Sequence, residues 1–290
     1  MTFGRRTSPS GTRAGLRAAR GLALGVVALG LAGCVSDRQE QQLGDRVAAQ
    51  IDAQVPMVHD APLALYVSNL GGMIARHSDR PDVKYRFYIV DTDQVNAFAL
   101  PGGHIYINRG LIERTRNVAE LSSVLAHEIG HVAARHGARN LQRQLRTSSL
   151  VGVLYEMILG REPEILNQDA LNLGGALWSA SNSRADEAEA DRLAVKYLIR
   201  TGVDPSGMVQ LLRRLMREER EHPEPGNQVA WFSTHPTTES RVVNAEREIR
   251  ADLPLGPRSL ALDNASFPAF LKRMESLPPP PIPVPLPVPQ

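Results

Sequence analysis

Cysteine occurs once in the 290 residues, at Cys34, so no disulfide within the chain can staple the fold. Aromatic residues are scarce at 5%, and the first 33 positions hold no acidic residue at all. Those positions do hold Arg5, Arg6, Arg13, Arg17 and Arg20, so of 33 basic and 31 acidic residues only 28 basic ones lie from Cys34 onward, against all 31 acids. The balance there is near −3, and the basic footprint of a nucleic-acid-binding protein is missing. No internal repeat is present, which excludes a solenoid. What is there suffices for a real core: 42% hydrophobic residues in a chain of this length fit one main domain with appendages.

The N-terminus reads as an export signal: arginines, then the apolar stretch Gly21 to Gly33, then the lone cysteine. The stretch is too short for a comfortable membrane-spanning helix. Leu31-Ala32-Gly33-Cys34 resembles a lipobox, which implies cleavage before Cys34 and a lipid on its thiol. The alternatives are an uncleaved anchor or a buried core cysteine. With Val35 rather than Asp after the cysteine, the lipobox resemblance implies sorting to the outer membrane of a Gram-negative cell, with the remaining chain on the periplasmic side.

Apolar spacing predicts helices over about Asp37 to Gln54 and Pro62 to His77. Lys84 to Val90 alternates β-branched and aromatic residues. Asn96 to Leu100 and, beyond Pro101-Gly102-Gly103, His104 to Asn108 complete a small sheet, read as antiparallel. A long helix begins near Asn117. Ala138 to Ala180 reads as helices broken by Gly152, Gly160, Pro163 and Gly174-Gly175, either a flap over a cleft or ordinary helices with loops. Further helices are expected over Arg184 to Arg200, from Asp204-Pro205 to about Glu221, and over Thr237 to Arg250. The domain boundaries are drawn at 1–33 (signal), 34–255 (main domain) and 256–290, whose Pro-rich end is expected to be an extended polyproline II tail and a candidate ligand for a partner.

The Asn117 helix carries His127-Glu128-Ile129-Gly130-His131. Residues four apart share a helix face, so both imidazoles can hold one zinc ion while Glu128 reaches the water beside it. A third ligand is needed. Ala134 and Gly137 exclude the longer pattern that would place a glycine and a histidine there, and His136 lies five residues from His131, well round the helix. The best candidates are Glu187 and Asp191, four apart in Ser183 to Asp191. Glu187 would bind the metal, and Asp191 would steady a ligand histidine through its second ring nitrogen. Taken alone, these acids read equally as a solvated helix face.

With Asn-Ala-Phe-Ala-Leu-Pro-Gly-Gly-His at 96–104 and Thr-His-Pro-Thr-Thr-Glu-Ser-Arg at 234–241, the ordered motifs resemble the HtpX and CAAX-prenyl-protease family of zinc metallopeptidases, in its periplasmic lipoprotein branch. The resemblance spans about Gln39 to Arg250. It implies an α+β, mostly helical, gluzincin-type domain with one zinc ion per chain and Glu187 as third ligand, leaving Glu189 at the surface. It places His235 and Arg241 near the metal as catalytic or substrate-contacting groups, with His235 also able to occupy the fourth zinc position and hold the enzyme inactive. Asn96, Ala97, Phe98, Gly102 and Gly103 would form the strand and turn along which substrate lies. The implied activity is endoproteolysis of unfolded or misassembled envelope proteins in quality control. The competing expectation is a periplasmic chaperone or assembly factor with little or gated proteolysis.

Overall fold

The computed structural model describes residues 36–140, 182–221, 231–236, 239–252 and 260–281. The expected lipidation site at Cys34, most of the broken helical stretch after Ala138 and the Pro-rich end from 282 lie outside the described residues. Helix α1 is Asp37–Asp52 and α2 is Ala61–Ala75, capped by the Asp60 carboxylate on the Leu63 amide. Strands β1 (Arg86–Val90), β2 (Ala97–Leu100) and β3 (His104–Asn108) lead into the single turn α3 (Arg109–Ile112). Then come α4 (Val118–Ala133), α5 (Arg184–Thr201), α6 (Ser206–Glu221), the turn α7 (Trp231–Thr234), α8 (Glu239–Asp252) and α9 (Phe267–Glu275). Among the described residues, no helix is long and apolar enough to cross a membrane.

The sheet is mixed, with β3 in the centre. β2 and β3 pair antiparallel as the sequence suggests, but β1 runs parallel to β3, Arg86 opposite His104 and Val90 opposite Asn108. The chain reaches this order because β2 itself forms part of the crossover, leaving β1 for the far edge before the turn at Pro101 feeds β3 into the gap. Gly102 and Gly103 adopt φ of 81° and 96° there. A side chain on Gly102 would come within 2.8 Å of the Gln41 backbone of α1, and one on Gly103 within 2.7 Å of Val83.

Helix α4 is the hub: every residue from Val118 to Val132 is buried, as a helix covered on all sides must be. It packs against α5, α6, α2 and the sheet. Its start is fixed by the Asn117 side chain, which accepts the Glu120 amide at 2.9 Å, while Glu120 accepts the Arg116 amide at 2.8 Å. Phe267, Phe270 and Met274 of α9 belong to the same apolar core, so the chain beyond residue 256 contributes to the main domain before its prolines begin.

Candidate metal centre

Two helices supply the site. α4 presents His127, Glu128 and His131, and α5 crosses it with Glu187 and Asp191 on the facing side, its start set by a capping box between Ser183 and Asp186. The crossing is close because Gly130 has no side chain: a Cβ there would sit 2.9 Å from the Ala190 carbonyl oxygen. A third piece, the turn α7, docks through the Trp231 amide on the Val95 carbonyl at 2.8 Å and delivers His235.

His127, His131, Glu187 and His235 are all buried, and one ligand atom from each lies within 4.8 Å of the other three. His127 Nε2 is 3.0 Å from His131 Nε2, 3.2 Å from His235 Nδ1 and 3.4 Å from Glu187 Oε2. Glu187 Oε1 is 3.3 Å from His131 Nε2 and 3.0 Å from His235 Nδ1. Ligands about 2.0–2.2 Å from a tetrahedral zinc stand roughly 3.3–3.5 Å apart, so these spacings approximate the edges of one coordination tetrahedron. Charge agrees with geometry: three buried carboxylates, Glu128, Glu187 and Asp191, face one buried guanidinium, Arg241. A dication beside neutral imidazoles cancels the remainder. The residues present therefore fit zinc.

The surroundings hold the ligands in place. Asp191 Oδ1 lies 2.9 Å from His127 Nδ1, the contact expected from the four-residue spacing. Arg241, expected near the metal as an oxyanion-stabilising or substrate-contacting group, lies beside the ligand cluster: Nε and Nη2 each donate to Asp191 at 2.8 Å, and Nη1 pairs with Glu187 Oε2 at 2.7 Å. His136 stands outside the group of metal-ligating residues and the Glu189 side chain is partly exposed, as expected, but the two meet behind His131. His136 is buried, its Nδ1 2.7 Å from His131 Nδ1 and its Nε2 3.1 Å from Glu189 Oε2. Spacing alone missed this because α4 has ended before His136 is reached.

Electrostatics separate the roles. Burial pushes the Glu128 carboxyl above the ordinary range, against the pull of His235, His127 and Trp231, leaving a buried basic group on the wall of the cleft. His235 Nε2 is 3.5 Å from Glu128 Oε1. Burial would likewise raise Asp191, but the Arg241 charge and the His127 hydrogen bond win and hold it at about 2. Burial lowers His131 to about 3, keeping its imidazole neutral and available as a ligand. In the field of the protein's own charges, burial is outweighed at His127, where Asp191 and Glu187 draw the ring up to about 9; a bound cation takes over that balancing charge.

A cleft opens onto Glu128, His131 and His235, lined also by Phe98, Ala99 and Pro101 on one side and by Asn140, Asn182 and Thr234 on another. β2 is the sheet edge beside it, as the sequence suggests. Of the strand residues expected to meet substrate, Phe98 lines the cleft. Asn96 and Ala97 are buried, with the Asn96 side chain accepting the Ala97 amide. Gly102 and Gly103 face α1 and the segment before β1. Asn140 and Asn182, joined by a 3.1 Å hydrogen bond, carried no signal in the sequence.

Residues 64–249 match peptidase family M48. The chain is 35% identical over 212 residues, 71% of its length, to a beta-barrel assembly-enhancing protease of Yersinia pestis, and 32% identical over 222 residues to that of Escherichia coli. It spans 43% and 45% of those two relatives. It is also 26% identical over 219 residues to the metalloprotease LoiP of Escherichia coli, covering 75% of this chain and 83% of LoiP. The expected family is thus borne out: the chain belongs to peptidase family M48, and its His127, His131, Glu187 and His235 are grouped closely enough to hold one metal ion.

Proposed function

We propose that this chain is a zinc endopeptidase, held by a lipid on Cys34 at the periplasmic side of the outer membrane, that cleaves unfolded or misassembled envelope proteins. The observation that carries the chemistry is the buried Glu128 beside a group of four possible metal ligands, both reaching one cleft. Zinc, when bound, supplies a Lewis acid that acidifies water and polarises the scissile carbonyl. Glu128 would accept the proton of the attacking water and return it to the leaving nitrogen, a task helped by burial, which strengthens it as a base. β2 borders the cleft, and an extended substrate would lie along it by backbone hydrogen bonding, a mode that reads the chain's shape more than its sequence.

Cellular context rests on different support. The Arg-rich start, the Gly21 to Gly33 stretch and Cys34 favour export and lipidation, and two relatives are named for enhancing β-barrel assembly, which favours outer-membrane proteins as substrates. Labelling with an alkynyl fatty acid should tag the parent and not Cys34→Ser; equal tagging refutes the anchor. For the chemistry, Glu128→Gln should keep stoichiometric zinc and lose cleavage of casein. A variant that cleaves at the parent rate removes Glu128 as the base.

One observation favours a second, compatible reading as an assembly factor with gated proteolysis. His235 Nδ1 sits inside the ligand cluster, 3.0 Å from Glu187 and 3.2 Å from His127, where water would need to be. His235→Ala should then raise casein cleavage. A fall in rate would instead make His235 a participant in the reaction.

A further inference from the structure

The H-E-I-G-H helix ends at Ala133, and two residues later Arg135 takes φ of 59°, in the left-handed region that non-glycine residues avoid. Had the helix continued, His136 would lie about 140° round from His131. The left-handed turn swings it back beneath the metal-ligand face. Arg135 is clamped in that conformation by α1, its Nη1 3.1 Å from Asp37 and its Nε 3.0 Å from the buried Glu40. A strain of roughly 1–2 kcal/mol is thus accepted at one position, and what it secures is the approach of His136 to His131.

We propose that His136 is a positioning residue for the ligand His131, and that Glu189 positions His136 in turn. The inference rests on the reading of His131 as a zinc ligand through Nε2, the atom that faces His127 and Glu187. With Nε2 committed to the metal, Nδ1 of His131 carries the ring hydrogen and donates to His136 Nδ1 at 2.7 Å. His136 must accept there, which places its own hydrogen on Nε2, and that N–H donates to Glu189 Oε2 at 3.1 Å. Asp186 Oδ1 stands 3.5 Å from the same nitrogen, and Arg139 pairs with both acids, holding the end of the relay.

The relay is the counterpart of the Asp191 contact behind His127. Each α4 ligand is backed through its Nδ1, one by a carboxylate directly and the other by a carboxylate acting through a second imidazole. A histidine merely filling space would not need its tautomer set from the far side. Here both ring nitrogens are committed, and the directions of the two hydrogen bonds follow from one requirement, a free Nε2 lone pair on His131.

The test uses the full chain, with zinc affinity measured by chelator competition and cobalt substituted for zinc as a spectroscopic reporter of ligand geometry. His131→Ala first tests the underlying reading: retained stoichiometric zinc there refutes the ligand assignment itself. Given that loss, His136→Phe, which keeps the packing but removes the acceptor, should weaken zinc binding by roughly 10–100-fold and shift the cobalt spectrum. His136→Asn, whose amide oxygen can take the Nδ1 position, should retain most of the affinity. Glu189→Ala should weaken binding in the parent and change nothing in the His136→Asn background. Parental affinity and spectrum in His136→Phe, or an equal effect of Glu189→Ala in both backgrounds, overturns the proposal. Should the Phe variant fail to melt cooperatively in chelator, the Glu189→Ala pair decides alone, since Glu189 lies on a half-exposed helix face.

Discussion

Replacing Gly130 by alanine sets two ordinary effects against each other. In a helix interior the change removes backbone entropy and is worth about 1 kcal/mol of stability. Here the new methyl would meet the Ala190 carbonyl oxygen at 2.9 Å, its Cα at 3.3 Å and its carbonyl carbon at 3.5 Å, all backbone atoms of α5. Relief of that contact requires α5 to withdraw by about 0.5 Å. Overpacking of this kind costs about 1–3 kcal/mol, so metal-free stability should be unchanged or lower by up to about 2 kcal/mol. The metal site is less tolerant. Glu187 and Asp191 flank Ala190 on the same helix, and ligand distances tolerate only about 0.2 Å. Zinc affinity should therefore fall at least about tenfold while the fold survives, as read by chelator competition and by melting in EDTA. Gly72 of α2 is the control, because a methyl there meets nothing nearer than the Arg76 guanidinium at 3.9 Å. Gly72→Ala should stabilise by about 0.5–1 kcal/mol and leave zinc binding alone. A Gly130→Ala protein that melts higher than the parent and binds zinc equally well would refute the account of how α5 reaches the site.

Arg241→Gln leaves Asp191 and Glu187 buried without their guanidinium, a loss of about 3–5 kcal/mol in EDTA. Zinc compensates part of that charge, so the melting loss should be smaller in the loaded protein; a rise in KM with unchanged stability and zinc affinity would return Arg241 to substrate contact. His104, stacked near Tyr88 and hydrogen-bonded to Asp45 at 2.8 Å, is held by burial below its ordinary pKa of about 6.5. The unfolded chain therefore takes up the proton first, so this contribution to stability is present above about pH 6.5 and declines as pH falls, by at most about 1.4 kcal/mol per pH unit. In EDTA between pH 7 and 5, His104→Gln should flatten the stability curve relative to the parent, and parallel curves would remove His104 as the source.

Most of the helices were legible because apolar spacing and end signals agree. Asn117 and Glu120 announce the start of α4, and Ser183, Asp186 and Gly202 mark both ends of α5. The sheet was harder. Three short strands joined by short connections suggest a meander, and nothing in the β1 residues says whether β2 or β3 will be their neighbour. That choice is made by packing, with Ile89, Ile105 and Ile107 joining the α2 and α4 core and Tyr88, Tyr106 and Phe98 stacking on the other face beneath α1.

At the site, spacing worked wherever the helix continued and failed where it stopped. His127 and His131, then Glu187 and Asp191, are pairs four apart on unbroken helices, so their sequence separation predicts a shared face. His136 follows a helix end, and a single left-handed residue, Arg135, brings it against the back of His131, a contact that counting along a helix does not show. Arg135 gives no warning in the sequence, because its conformation is imposed from α1 by Asp37 and Glu40, almost a hundred positions away. The same holds for Arg241, whose partner could not be known until α5 and α8 were placed side by side. Ligands that share a helix can be read from local periodicity. The groups that orient those ligands come from wherever the tertiary fold supplies a partner, and their positions follow only once the chain has been folded.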